Sequence, residues 1–305
     1  MTTVHTAWDR VSQNVFKTWL IMFFFSLFTV GIIYILGRGL GFDEIGGLGL
    51  AGIALIVAGI MNFVSYYWSD RIVLGISRAK PIKKEDSPEV YRLVENLCIA
   101  SGLPLPKIYV LEDTAPNAFA TGRNPKHAAI AFTTGILQKL NKQELEGVAA
   151  HELSHVGNRD TLVMTVVSVL VGTIALLSDW FLRAMLYGGH NRDRDSRANT
   201  VMLLIALVAA ILAPIVATLI QLAISRRREF LADASGVLLT RYPEGLASAL
   251  AKISSDREPL EAANRGTAHL YIVNPLKGKD AKSWFANLFN THPPIEERIK
   301  ILRSM

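Results

Sequence analysis

The sequence His151-Glu152-Leu153-Ser154-His155 predicts a helix and a metal centre together. Two histidines four residues apart lie one turn apart on the same helix face, so both imidazoles can reach one metal ion. Zinc makes a coordinated water more acidic, and the adjacent Glu152 can take its proton as the water attacks a peptide carbonyl. We therefore expect His151 and His155 as ligands and Glu152 as catalytic base. The alternative, a surface helix with two ordinary histidines, fits less well because the motif precedes an apolar run.

The sequence around the motif predicts a mixed α/β part. Asn141 caps the motif helix, with Glu144 three residues on as in a capping box. Upstream, Ser87-Pro88-Glu89 opens a helix that Gly102 ends. Three short strands are expected between these helices, at 107–111, 117–121 and 128–132.

The distribution of charge predicts a membrane protein. Of 305 residues, 50% are hydrophobic and 19% charged. A transmembrane helix needs about 20 apolar residues. Four stretches without any charged residue meet or approach that length: 18–37, 45–69, 161–178 and 198–225. We expect four membrane helices in two hairpins. The third stretch is the weakest, since Asp179 and Arg183 follow it, and a partly inserted hairpin is its alternative.

Charge and cysteine usage bear on orientation and partners. The loop after the second stretch is rich in lysine and arginine, which predicts that the N-terminus and the soluble part face the cytoplasm. The net charge of +6 fits loops beside anionic lipid. No basic, aromatic-interleaved helix and no Walker A pattern is present, so neither nucleic acid nor nucleotide is expected as a partner. The single cysteine, Cys98, precludes an intrachain disulfide and fits a reducing compartment.

A catalytic zinc needs a third protein ligand. The spacing of metzincins is absent, since Asn158 and Thr161 stand where a glycine and a histidine would be required. Glu229 and Asp233, four residues apart on the helix leaving the fourth stretch, are the remaining candidates. A membrane hairpin would return them to the side of His155. We expect Glu229 as ligand and Asp233 as hydrogen-bond acceptor of a ligand histidine; the alternative is two solvated acids balancing the neighbouring arginines.

The chain resembles the HtpX-type membrane zinc metallopeptidases, which are relatives of the type I CAAX prenyl endopeptidase. The resemblance covers nearly the whole chain, and the order of its motifs makes it specific. The matching pieces are the motif at 151–155, Glu229-Phe230-Leu231-Ala232-Asp233, Asn117-Ala118-Phe119-Ala120-Thr121-Gly122, His269-Leu270-Tyr271-Ile272, Asn274-Pro275-Leu276, and His292-Pro293-Pro294 with Arg298.

The resemblance implies a mainly α multi-pass membrane protein with a small β-sheet and a gluzincin-like zinc peptidase domain. It implies one Zn²⁺ per chain, protein substrates drawn from membrane proteins, and a stress-response role in quality control. The expected location is a bacterial or archaeal inner membrane with a cytoplasmic active site. The expected division is an N-terminal hairpin (1–69), a catalytic part with the motif helix (70–160), a second hairpin (161–225) and a catalytic part with the third ligand (226–305).

The resemblance also implies residues that contact substrate. The segment Asn117, Ala118, Phe119 and Ala120 would be an edge strand beside the cleft, where an extended substrate pairs through main-chain hydrogen bonds; a core strand is the alternative. His292 and Arg298 would contact the substrate or the developing oxyanion, with a Pro-capped surface helix as the alternative.

Two other classes of function remain as rivals. A membrane scaffold with a structural zinc would need four protein ligands, usually including cysteines, and only Cys98 is present. A small transporter would need ionisable residues inside its spans, and the four stretches have none.

Overall fold

Two long helices begin the chain in the computed structural model, which describes residues 7–39, 43–172, 226–263, 267–275 and 293–305. Helix α1 spans Ala7–Gly39 and α2 spans Glu44–Ile76, with Asp43 capping the second. Each contains a candidate membrane span, at Val11–Gly31 and Glu44–Ile76, and only 28% and 22% of those windows is buried. Outward apolar side chains such as Phe23, Leu27 and Ile56 need a lipid environment. The two apolar helices predicted at the start of the chain are confirmed as candidate spans, and their arrangement as a membrane hairpin at 1–69 stays a prediction.

The third uncharged stretch begins as a buried helix. Helix α6 spans Asp160–Gly172, the last residue described there, and its valines and leucines pack against α1 and α2. Only Asn158 and Arg159 separate it from the preceding helix, and Arg159 has a positive φ of 58°. Residues 173–225, including the fourth stretch, lie outside the described part of the chain, so the predicted second hairpin cannot be followed further.

A four-stranded mixed sheet lies beside these helices. Its order is β1-β2-β4-β3, from Lys80–Pro81, Lys107–Leu111, Ala118–Gly122 and Ala128–Thr133. Strands β2 and β4 are parallel, whereas the other two pairings are antiparallel. The three predicted strands are confirmed, with β3 displaced by one residue from its predicted start at Asn117.

The helices around the motif follow their sequence signals. Helix α3 spans Pro88–Ser101 and buries its predicted apolar face, and Gly102 ends it with a left-handed φ of 70°. A short helix not predicted from the sequence, α4, spans Thr134–Lys139. Helix α5 spans Lys142–Gly157, and both hydrogen bonds of the predicted Asn141 capping box are present.

Three later helices complete the core. Helices α7, α8 and α9 span Arg226–Thr240, Pro243–Ser255 and Ile295–Leu302. Helices α7 and α8 pack on α5, and α9 packs on α8. A Cβ at Gly147 of α5 would lie 2.7 Å from the backbone nitrogen of Leu246 on α8. Leu153 of α5, Leu250 of α8 and Leu302 of α9 belong to one hydrophobic cluster. The two catalytic parts predicted from the sequence therefore share a single core. The fold is mainly helical with a small sheet, as expected.

Candidate metal centre

Helix α5 presents both motif histidines on one face, completely buried. The two Nε2 atoms are 3.2 Å apart. Glu229, near the start of α7, lies against both: Oε1 is 3.5 Å from His155 Nε2, and Oε2 is 3.8 Å from His151 Nε2. The structure thus brings together the two motif histidines and a glutamate that lies 74 residues after His155 in the sequence.

These three side chains fit a zinc ion. Ligand atoms about 2.0–2.1 Å from zinc are about 3.3 Å apart when the geometry is tetrahedral. The observed separations of 3.2, 3.5 and 3.8 Å are close to that value. Among the described residues, these three form the group of acidic and histidine side chains with atoms near enough to hold a metal.

Each motif histidine is oriented by a carboxylate at its other ring nitrogen. His151 Nδ1 lies 2.9 Å from Asp233 Oδ1, and His155 Nδ1 lies 3.1 Å from Asp160 Oδ2. A carboxylate that accepts from Nδ1 fixes the tautomer with an unprotonated Nε2, the form that binds metal. The expected Asp233 contact is present. Asp160 was not anticipated, although it follows the motif by five residues and begins α6.

Arg298 lies inside the protein. It is 0% exposed, donates to Asp233 through Nε and Nη2, and donates to the Ile272 carbonyl through Nη1. Its Nη1 is also 3.5 Å from Glu229 Oε2. Arg298 therefore contacts the histidine–carboxylate framework from the buried face of α9, a helix that Pro294 caps and whose other face is exposed. His292, expected beside it in function, lies outside the described residues.

A match to a known protein family indicates which reaction this site carries out. Residues 84–305 match the model of peptidase family M48. The chain belongs to peptidase family M48. It is therefore a metalloendopeptidase, and the buried group of His151, His155 and Glu229 is the M48 zinc-site arrangement of two histidines with a distant glutamate.

Relatives of this M48 chain extend over its full length. It is 45% identical to a "Protease HtpX homolog" of Dictyoglomus thermophilum, covering 98% of this chain and 95% of that protein. It is 46% identical to the protein of the same name from Pyrococcus furiosus, covering 95% of each. Among solved structures it is similar to the "Crystal Structure of S. mikatae Ste24p", at 18% identity and a TM-score of 0.49, covering 94% of this chain and 66% of that one. The similarity to HtpX homologs and the two apolar candidate spans together indicate an integral membrane protein.

Burial and neighbouring charges shift the pKa values of several groups in the M48 site. Burial alone would lower the pKa of His155, but Asp160 and Glu229 raise it to about 9. Burial raises the pKa of Glu152 to about 7, opposed by His155 and reinforced by Glu229. Burial would raise the pKa of Asp233, yet Arg298 and His151 hold it at about 2. Surroundings that favour a proton on His155 also favour a metal cation at the same place.

The predicted substrate segment lies beside Glu152. Strand β3 is an edge of the described sheet, yet all its residues are buried. Asn117 bonds to β4 and to the Val273 carbonyl, and Phe119 packs edge-to-face on Tyr271. One outward backbone group is already engaged, since the Ala118 carbonyl accepts the Ile272 N–H. The strand thus has an edge position with partly covered hydrogen-bonding groups.

Proposed function

We propose that this chain is an inner-membrane zinc endopeptidase that cleaves misfolded membrane proteins on their cytoplasmic side, as part of quality control. The observation that carries the proposal is the buried group of three metal-ligating side chains beside Glu152, in a protein whose first two helices are apolar enough to cross a bilayer. Peptidase chemistry belongs to the family. The substrate class, the orientation and the roles of individual residues are the proposal.

The proposed roles follow from the contacts. His151 and His155 bind one Zn²⁺ per chain through Nε2, and Glu229 binds it through its carboxylate. Zinc in such a site polarises the peptide carbonyl and lowers the pKa of water. Glu152 accepts the proton of the attacking water and delivers it to the departing amine.

Substrate pairing is proposed on the outer edge of β3. In the antiparallel pairing with β4, the Asn117 carbonyl accepts the Thr133 N–H, so the backbone groups of Ala118 and Ala120 point away from β4. Since Ile272 already bonds the Ala118 carbonyl, we propose that an extended substrate pairs at the Ala120 end, next to Glu152. Asn117 and Phe119 would support the strand from behind. His292 and Arg298, both expected to contact substrate, then have different proposed roles. Arg298 acts through Asp233, whereas His292 contacts the substrate.

Aromatic side chains support a site close to the bilayer surface. Trp19 of α1 stacks on Tyr66 of α2, and Tyr67 and Trp68 follow directly. Tryptophan and tyrosine concentrate where hydrocarbon meets water. Arg123, in the turn between β3 and β4, lies over the Tyr67 ring and donates to its carbonyl. This contact links the proposed substrate strand to the aromatic level of the membrane.

The cytoplasmic orientation rests on the positively charged residues after α2. The proposed division into two hairpins (1–69 and 161–225) and two catalytic parts (70–160 and 226–305) is supported by the common core of the catalytic parts.

The test uses purified full-length protein reconstituted into liposomes with a membrane protein substrate. One substrate carries a destabilising substitution in a span, and its stable parent serves as the control. We expect zinc-dependent cleavage of the destabilised substrate in its cytoplasmic segment. Equal cleavage of both substrates would refute the quality-control role, and cleavage by Glu152→Gln protein would refute the proposed chemistry.

A further inference from the structure

We propose that Asn14, on the first membrane helix, is a positioning residue of the metal centre: it holds Asp160, and Asp160 holds His155. This inference rests on the proposed zinc-binding role of His155. It makes α1 a structural part of the active site in addition to a membrane anchor.

The Asn14 side chain lies where three parts of the chain meet. Its Nδ2 donates to Asp160 Oδ1 at 2.8 Å and to the Asn158 carbonyl at 2.9 Å. Its Oδ1 is 3.5 Å from Arg228 Nη1, on α7 beside Glu229. One amide therefore joins α1, the link between α5 and α6, and the first turn of α7.

The chemistry of the Asn14 amide matters because Asp160 has two partners, His155 and Asn14. One of its oxygens faces His155 Nδ1, and the other accepts from Asn14, with Arg228 Nη1 3.6 Å away. A carboxylate held at both oxygens cannot rotate without breaking a hydrogen bond, so the His155 ring keeps one orientation. Only a side chain with a donor and an acceptor can bond Asp160 and Asn158 while facing Arg228.

Burial makes these contacts consequential. Asn14 is 4% exposed and Asp160 is 3% exposed. Leaving a buried carboxylate oxygen without its donor costs more than losing the same bond at a surface. The Thr18 hydroxyl, one turn further along α1, donates to the Asn14 carbonyl. We infer that loss of the Asn14 hydrogen bonds makes the positions of the zinc ligands less fixed.

The test measures metal affinity, so that it does not depend on activity. All proteins carry Glu152→Gln to prevent self-cleavage and are purified full-length in detergent. Zn²⁺ affinity is determined by competition with a chromophoric chelator. Outer partners of ligand histidines typically contribute about 10–100-fold in metal affinity, and we expect a loss of about tenfold for Asn14→Leu. Asn14→Asp, which keeps the volume but removes the donor, should also lose affinity and decides the question if Asn14→Leu does not fold.

Asn62→Leu is the matched control. Asn62 is also a buried membrane-helix asparagine, and it joins α2 to α1 through Met22 and Ser26 without approaching the metal ligands. Its substitution should leave Zn²⁺ affinity unchanged. With Co²⁺ in place of Zn²⁺, the visible absorption bands should shift in Asn14→Leu and stay the same in Asn62→Leu, since they report ligand geometry.

A double-mutant cycle shows whether Asn14 acts through Asp160. In an Asp160→Ala background, Asn14→Leu should cause no further loss of Zn²⁺ affinity. Unchanged affinity in Asn14→Leu, or an equal loss with and without Asp160, overturns the inference. If the Glu152→Gln parent itself binds no zinc, the proposed function fails instead, so the two failures are distinguishable.

Discussion

Arg298 donates two hydrogen bonds to Asp233, from Nε at 2.8 Å and from Nη2 at 2.7 Å. Asp233 in turn lies 2.9 Å from His151 Nδ1. The C-terminal helix α9 therefore holds one motif histidine through a buried ion pair, as α1 is proposed to hold the other.

Arg298→Met should destabilise the protein strongly. Removing one partner of a buried ion pair leaves an uncompensated charge, which costs about 3–5 kcal/mol. Thermal unfolding in detergent measures the effect, and bound zinc should fall in parallel. Arg303→Met is the control, because Arg303 pairs with Glu244 on the surface and its loss should not shift the unfolding temperature. Equal stability of the two variants would contradict a structural role for Arg298.

Glu152→Gln should abolish proteolysis while retaining zinc. Loss of a general base typically costs about 10²–10⁴-fold in rate, and glutamine keeps the shape of the side chain. Casein cleavage and metal content are measured on the same preparation. Glu146→Gln, on the same helix but away from the ligands, should cleave normally. Residual cleavage at the wild-type rate would exclude Glu152 as the base.

Glu229→Ala should lose stoichiometric zinc, because two histidines alone leave a buried ion short of one ligand and one negative charge. Metal analysis after gel filtration gives the result. Glu244→Ala removes a surface carboxylate from α8 and should retain the metal. A chelator should inactivate the wild type, and added Zn²⁺ should restore it. Full zinc occupancy in Glu229→Ala would require a different third ligand.

Glu144 should contribute stability that is lost in acid. Burial would raise its pKa, but hydrogen bonds from Lys252, Ser248 and the Asn141 N–H outweigh it, so the pKa lies below the ordinary 4.5. A lowered folded-state pKa means that the stabilisation is complete above about pH 4.5 and disappears as pH falls through the folded-state value.

Comparison of Glu144→Gln with wild type tests this pH dependence. The variant should unfold at a lower temperature at pH 7, and the difference should shrink below pH 4.5. Protonation of the metal ligands lowers the unfolding temperature of both proteins equally, so it does not change the difference between them. Lys252→Met should reproduce part of the decrease in unfolding temperature at pH 7. A difference that stays constant with pH would mean that the Glu144 charge is not involved.

Gly147→Ala should destabilise the packing of α5 on α8. The added Cβ would lie 2.7 Å from Leu246 N and 2.9 Å from its Cα, both backbone atoms. Overpacking of this kind costs about 1–3 kcal/mol. Gly75→Ala is the control, since a Cβ added there on α2 would meet nothing within 4 Å. Thermal unfolding compares the two, and an unchanged Gly147→Ala would show that the helices can separate freely.

The elements that the sequence predicted well depend on local signals. The Asn141–Glu144 capping box and the spacing of His151 and His155 each act within a few residues. Glu229 required knowledge that distant helices meet, and the membrane hairpin predicted between His155 and Glu229 supplied it. Asn14 and Asp160 escaped prediction because their contact joins residues 146 apart, and an asparagine near the start of an apolar helix carries no signal of its own.

The buried position of Arg298 was missed because its local sequence signals point to the surface. Its helix has the amphipathic pattern of a surface element, and arginine is rarely buried completely. Partners outside its own helix, the Asp233 carboxylate above all, make its position inside the core stable. The substrate segment was predicted as an edge strand, but the segment around Ile272 that covers part of it belongs to a region without a regular sequence pattern.

The two-residue link between α5 and α6 limits where cleavage can occur. Because His155 and the helix packed against the membrane hairpin are joined by so few residues, the distance of the reacting groups from the lipid cannot adjust to the substrate. Under the proposed topology, a peptide bond must come to the enzyme at a fixed height above the bilayer. Loops that extend only slightly from a span would be within reach, whereas sites on a distant folded domain would be spared until that domain unfolds.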